Sequence, residues 1–253
     1  MKSITYRKPW AVGAIAISVA LASGCIHDDD KKDPMVEEQP TTPLPPAATM
    51  AIYQVTVLNL TYAQPFTPVA AVLHRTGYAA WTLGGSASVG LEDLAESGDT
   101  TRFIAEATAN ANVAATATSS GGPFAPGASK TVMLSAAYAS DLRLSVASML
   151  ANTNDAVAGF SGRPIGTLAV GESLTVMAFA HDAGTEQNTE ADGTMPGPAD
   201  GGVGYNVSRS GDVNYVHIHP GVVTMNDDYA DSVLLESHRW QGPVTQVVVT
   251  RTQ

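Results

Sequence analysis

The sequence predicts an all-β fold, an antiparallel β-sandwich carrying one short helical insertion, and three observations predict it. β-Branched and apolar residues alternate with period two in several separate stretches; clusters of glycine and proline punctuate them; helical spacing is confined to residues 90–109. Two sheets that each bury one face against the other are the economical way to use such strands. With 253 residues, 44% of them hydrophobic, the chain has ample material for a core. Composition does not shift again after residue 50, so residues 51–253 are expected to form one domain.

Taken in order, the elements begin with an address. Lys2, Arg7 and Lys8 precede an apolar run of 13 residues from Trp10 to Ala22, too short to span a bilayer and matched to the apolar region of a secretory signal. Residues 1–24 are expected to be removed. Residues 25–50 follow with a run of charges and five prolines, and bury too little apolar surface to offset their ordering entropy, so they read as a disordered tether. The first strand is Ile52-Tyr53-Gln54-Val55-Thr56-Val57-Leu58. Leu91, Leu94 and Ala95 fall on one face of the helical stretch. Further strands are expected at 131–137, 143–149, 174–180, 213–219 and 244–250. Residues 187–205 are rich in glycine and proline, lack periodicity and read as a long loop.

Charge and cysteine content exclude several functions. Lys and Arg number 13 against 24 Asp and Glu, and the part from residue 51 onward alone carries 18 acidic and 8 basic residues. Such a surface repels phosphate backbones, so no nucleic-acid partner is expected. A single cysteine closes no intramolecular disulfide and builds no thiolate zinc site. The sequence also lacks a G-x-S-x-G elbow, a phosphate-binding Walker loop and an H-E-x-x-H pair, which argues against an enzyme.

The densest polar group is His181-Asp182-Ala183-Gly184-Thr185-Glu186, directly after an expected strand. Gly184 tolerates positive φ, so the chain can curl and bring the carboxylates of Asp182 and Glu186 together. Like charges at that range raise each other's pKa unless a cation lies between them. Hard oxygen donors on a loop suit Ca²⁺, which needs six to eight oxygens, and Asp155, in the polar turn after the strand at 143–149, is the best further donor. On spacing alone, a solvated acidic turn is the favoured reading. His217 and His219 place two imidazoles on one strand face; with no third ligand visible in the sequence, they read as a structural pair rather than a transition-metal clip. His74 and His238 are isolated and carry no functional weight, and Trp81 and Trp240 read as core or rim aromatics.

Two resemblances add to this. Leu21-Ala22-Ser23-Gly24-Cys25 resembles the lipobox of bacterial lipoproteins, departing from it at Ala22. The resemblance implies lipidation of Cys25, anchoring in a membrane of the bacterial cell envelope and, because Ile26 rather than Asp follows, the outer membrane. The runs at 149–160 and 180–190, with the opening strand 53–61, the helical residues 90–99 and Val216-His-Ile-His-Pro-Gly221, resemble the spondin domain in its bacterial form. That family implies a C2-like sandwich and a Ca²⁺ site, and carried over residue by residue it implies Asp155, Asp182 and Glu186 as ligands. Glu186 departs from the Asp of the animal proteins. The implied function is a membrane-anchored, calcium-binding adhesion or binding module with an unidentified protein or glycan ligand. The alternatives are a metal-dependent hydrolase using Glu190, His181, His217 or His219 as proton carrier, and a structural component of an envelope assembly.

Overall fold

A computed structural model describes residues 49–207 and 213–253. The signal segment, Cys25 and the tether as far as residue 48 lie outside the described residues. Among the described residues ten strands form two antiparallel sheets. The first sheet has the order β4-β1-β10-β7, from β1 (Met50–Asn59), β4 (Ser129–Ala137), β7 (Ser173–Ala178) and β10 (Thr245–Arg251). The second runs β3-β2-β5-β6-β8-β9, from β2 (Ala70–His74), β3 (Val113–Thr118), β5 (Arg143–Met149), β6 (Ala156–Pro164), β8 (Ala180–Asp182) and β9 (His217–Ile218).

The core between the sheets follows from alternation. On β1, Tyr53, Val55 and Val57 point inward, and Val55 stands opposite Val132 on one side and Val249 on the other. They meet Leu73, Leu144, Val146 and Ala158 of the second sheet. The strands expected at 131–137, 143–149 and 244–250 are present within a residue or two.

Three expectations need correction. The helical insertion is two helices, α1 (Val89–Ser97) and α2 (Thr101–Thr108). Ser88 caps α1 by accepting from the Leu91 N–H at 3.2 Å, and the Gly98 N–H closes its far end on the Leu94 carbonyl. The helices form a third layer over the outer face of the second sheet, where Leu91, Leu94, Phe103 and Trp81 cover Ala70, Val72, Ala147 and Val157. Secondly, the strand expected at 174–180 breaks after Ala178 and passes to the other sheet as β8. Thirdly, only His217 and Ile218 of the expected strand 213–219 pair, because β9 has a three-residue partner at the edge of its sheet. The long loop at 187–205 contains no strand; its Met195 joins Val222 and Leu234 in a small separate core.

His74 is fully buried and satisfied, one ring nitrogen on the Arg75 carbonyl and the other on the Ser145 hydroxyl, both at 2.9 Å. It is a structural histidine, as its isolation in the sequence implies.

Candidate metal centre

Three neighbouring strands position the site. β6 begins at Ala156, one residue after Asp155, and pairs with β8 so that Ala156 stands opposite Asp182; β8 in turn pairs with β9, setting Asp182 opposite His217. The turn at 150–155 is held by the Thr153 hydroxyl, which donates to the Leu150 carbonyl at 2.7 Å and accepts from the Ala156 N–H at 3.1 Å. Asn152, Thr153, Asn154 and Asp155 are all buried, so this turn is a polar interior rather than a solvated loop.

The Asp182 loop wraps onto Asp155. Asp155 Oδ2 accepts from the Thr185 N–H at 2.8 Å, the Thr185 hydroxyl at 3.2 Å and the Glu186 N–H at 3.2 Å, while Asp182 Oδ1 accepts from the Gly184 N–H at 2.7 Å. The curl needs Gly184: its φ is +70°, and a Cβ there would stand 2.4 Å from the Tyr215 carbonyl oxygen. Asp182 Oδ2 accepts from Asn188 Nδ2 at 2.6 Å. His217 Nε2 approaches Asp182 Oδ1 at 3.4 Å and His219 Nε2 approaches Oδ2 at 3.9 Å.

Asp155, Asp182 and His219 each bring a carboxylate oxygen or ring nitrogen within 4.8 Å of those of the other two. Glu186, also buried, is tied in through Asn154 Nδ2, which donates to its Oε2 at 3.3 Å. The two loops carrying Asp155, Asp182 and Glu186 thus meet. His219 joins them, the third neighbour that the sequence of the histidine pair does not reveal. No spacing rule relates His219 to Asp155; only the pairing of β6, β8 and β9 does. His181 stays apart, on the opposite face of β8, its ring against Trp81 with centroids 5.3 Å apart. Trp240 lies beside His219 at 5.2 Å between centroids and packs partly buried against the core, a rim aromatic as expected.

Electrostatically the centre is a buried excess of negative charge. Among the described residues no lysine or arginine forms an ion pair with Asp155, Asp182 or Glu190. Burial, then the charge of Asp182, pushes the Asp155 carboxyl up to about 7 against the Thr185 and Glu186 donors that favour its ionised form. Burial likewise pushes Glu190 up to about 8, with Asp155 and Asp182 acting in the same direction. Burial takes His219 down to about 4, the Asp182 charge opposing it.

A pH dependence follows for the ion-free protein. A carboxyl whose folded-state pKa is raised from 3.8 to about 7 contributes stability that is fully present below 3.8 and is lost as pH rises through 7. Glu190 acts with the same sign. His219, lowered from 6.5 to about 4, contributes with the opposite sign up to about pH 6.5, so the melting temperature measured in chelator is expected to fall between about pH 6.5 and pH 8. A flat or rising profile contradicts this electrostatic picture.

The tautomers bear on which cation fits. The Gly221 N–H donates to His219 Nδ1 at 3.0 Å, so in the neutral ring the proton sits on Nε2 and faces the Asp182 carboxylate. That nitrogen offers a proton to the centre, not a lone pair. The lone pairs come from oxygen, and Asp155 Oδ1 is buried without a hydrogen-bond partner. The cluster could hold a metal ion.

A comparison with known protein families matches residues 59–193 to Spondin_N, the spondin N-terminal domain. The chain belongs to the spondin N-terminal domain family. The match spans more than half of the chain and includes Asp155, Asp182 and Glu186, whereas His217 and His219 lie beyond it. A search of the curated proteins finds no match. Membership in this family, one of non-enzymatic domains, supports an extracellular, binding-type module. Among the described residues no helix is long and apolar enough to cross a membrane.

Proposed function

We propose that this spondin domain is a calcium-dependent binding module, tethered to the bacterial cell envelope by a lipid on Cys25. In this reading Asp155, Asp182 and Glu186 hold one Ca²⁺. The ion neutralises the carboxylates and holds the 150–155 and 182–186 loops in the conformation that contacts a protein or glycan ligand. The observation that supports it most is Asp155: fully buried beside Asp182, one oxygen taken by three donors and the other without a partner. A buried carboxylate oxygen with no donor is costly unless a cation meets it.

The anchoring half rests on the sequence. The lipobox-like residues before Cys25 and the proline-rich tether support a domain held some distance from the outer membrane. The hydrolase alternative gains nothing from the protonated face of His219 or from the displacement of His181 onto Trp81.

Calorimetric titration of chelator-stripped protein with CaCl₂ tests the ion site. The expected result is one Ca²⁺ per chain, with binding lost in Asp155→Asn, a substitution that keeps the side chain's shape. Absence of calcium binding, or its persistence in that variant, overturns the reading, and tighter binding of Zn²⁺ overturns the choice of ion.

A further inference from the structure

The three family-implied carboxylates do not by themselves make a Ca²⁺ shell. Calcium takes six to eight oxygens. Asp155 Oδ2 is committed to three donors, and the two Asp182 oxygens to Gly184 and Asn188. The set is short of donors. Two buried oxygens close by in sequence have no hydrogen-bond partner: Glu190 Oε1 and Asn188 Oδ1.

Glu190 is the more telling. It lies in the Gly- and Pro-rich loop, yet it is fully buried. Its φ is +45°, a conformation a non-glycine residue holds only when its surroundings impose it. Three bonds impose it: its N–H donates to Asn154 Oδ1 at 3.0 Å, its carbonyl accepts from the Val233 N–H at 3.0 Å, and its Oε2 accepts from the Val223 N–H at 3.2 Å. Asn154 also holds Glu186, so both glutamates hang from one side chain. The charges of Asp155 and Asp182 reach Glu190, and no basic residue among those described pairs with it. A strained backbone that delivers a carboxylate to a buried, acidic place has a use only if something positive arrives there.

We propose that Glu190, assisted by the Asn188 side-chain carbonyl, is a further ligand of the same ion, and that through it calcium organises the 187–195 loop and the 219–236 segment. This rests on the calcium reading above and extends it. Asp155, Asp182 and Glu186 tie the ion to β6 and β8. Glu190 ties it to Val223 and Val233, which flank the small core of Met195, Val222 and Leu234. The surface built on that core is then ordered by ion occupancy, which turns calcium from a staple of two strands into a control on the recognition loops.

Glu190→Gln tests this, because glutamine keeps an acceptor for the Val223 N–H but removes the charge and puts an amide nitrogen in place of the proposed ligand oxygen. Calcium affinity is expected to fall about tenfold or more, while the ion-free melting temperature stays level or rises, since a repelled buried carboxylate has gone. A residue serving only to hold Val223 would instead leave affinity at the wild-type value, and that result overturns the proposal. Should the variant not fold, amide exchange on the wild-type protein decides the matter. Calcium is expected to slow exchange at Val223 and Val233, and unchanged exchange there overturns the proposal. The two readings fail differently: no calcium binding by the wild type removes the ion itself, whereas full affinity in Glu190→Gln removes only the role of Glu190.

Discussion

On the proposed calcium reading, calcium at a hundredfold excess over its dissociation constant is expected to raise the melting temperature of the protein by roughly 5–10 °C, and Asp182→Ala to abolish the rise. The size follows from linkage: an ion that binds only the folded state adds about 2.7 kcal/mol at that excess, and a domain of 150–250 residues gains about 2–4 °C per kcal/mol. Asp182 is the residue to remove because the centre converges on it. It accepts from the Gly184 N–H and from Asn188, and faces both His217 and His219. Alanine leaves these donors without their acceptor, so the variant also melts lower without the ion, by about 1 kcal/mol for each bond lost. The increment produced by calcium, rather than the absolute melting temperature, therefore carries the information. A wild-type curve that millimolar calcium does not move, or a rise that survives in Asp182→Ala, excludes a site at this carboxylate.

Most of the strands legible in the sequence have one dry face and one wet face, β5 being an exception that is legible although both its faces are buried. β1 alternates because Tyr53, Val55 and Val57 enter the core while Gln54 meets water, and the same holds along β4 and β10. β2 escapes that test. Ala70, Ala71, Val72, Leu73 and His74 are all buried, since the opposite sheet covers one face and the helices the other. β6 is hidden for the same reason over its first four residues. The site divides likewise. The curl from Asp182 to Glu186 is local and can be read from Gly184, and its meeting with Asp155 is what the structure supplies through the β6–β8 register. His219 arrives by the pairing of β9 with β8, and Glu190 by hydrogen bonds to Asn154, Val223 and Val233. Neither route leaves a periodic trace. A residue whose burial depends on distant chain segments looks, in sequence, like any other member of a polar loop.

Gly159→Ala is expected to destabilise the protein by about 3–5 kcal/mol, the sum of a strained φ and an overpacked contact. Gly159 has φ +143°, and a Cβ built on it would stand 1.8 Å from the Val146 carbonyl oxygen. That neighbour is backbone, so no rotamer change relieves the clash. The ladder there is already irregular: Ala147 opposes Gly159, Val146 opposes Phe160, and the register between β5 and β6 shifts from Leu144 to Val146. Alanine must push β6 away from β5. The displacement reaches the metal centre, because the same strand pairs through Ala156 and Ala158 with β8, and Asp155 is the residue just before it. Loss of stability is therefore expected together with weaker calcium binding, although Gly159 touches none of the carboxylates. Urea denaturation measures the first and calorimetric titration the second. A variant within about 1 kcal/mol of wild type would mean that the two strands separate at little cost, and the rigid seating of Asp155 against Asp182 would then need another source than the β5–β6 ladder.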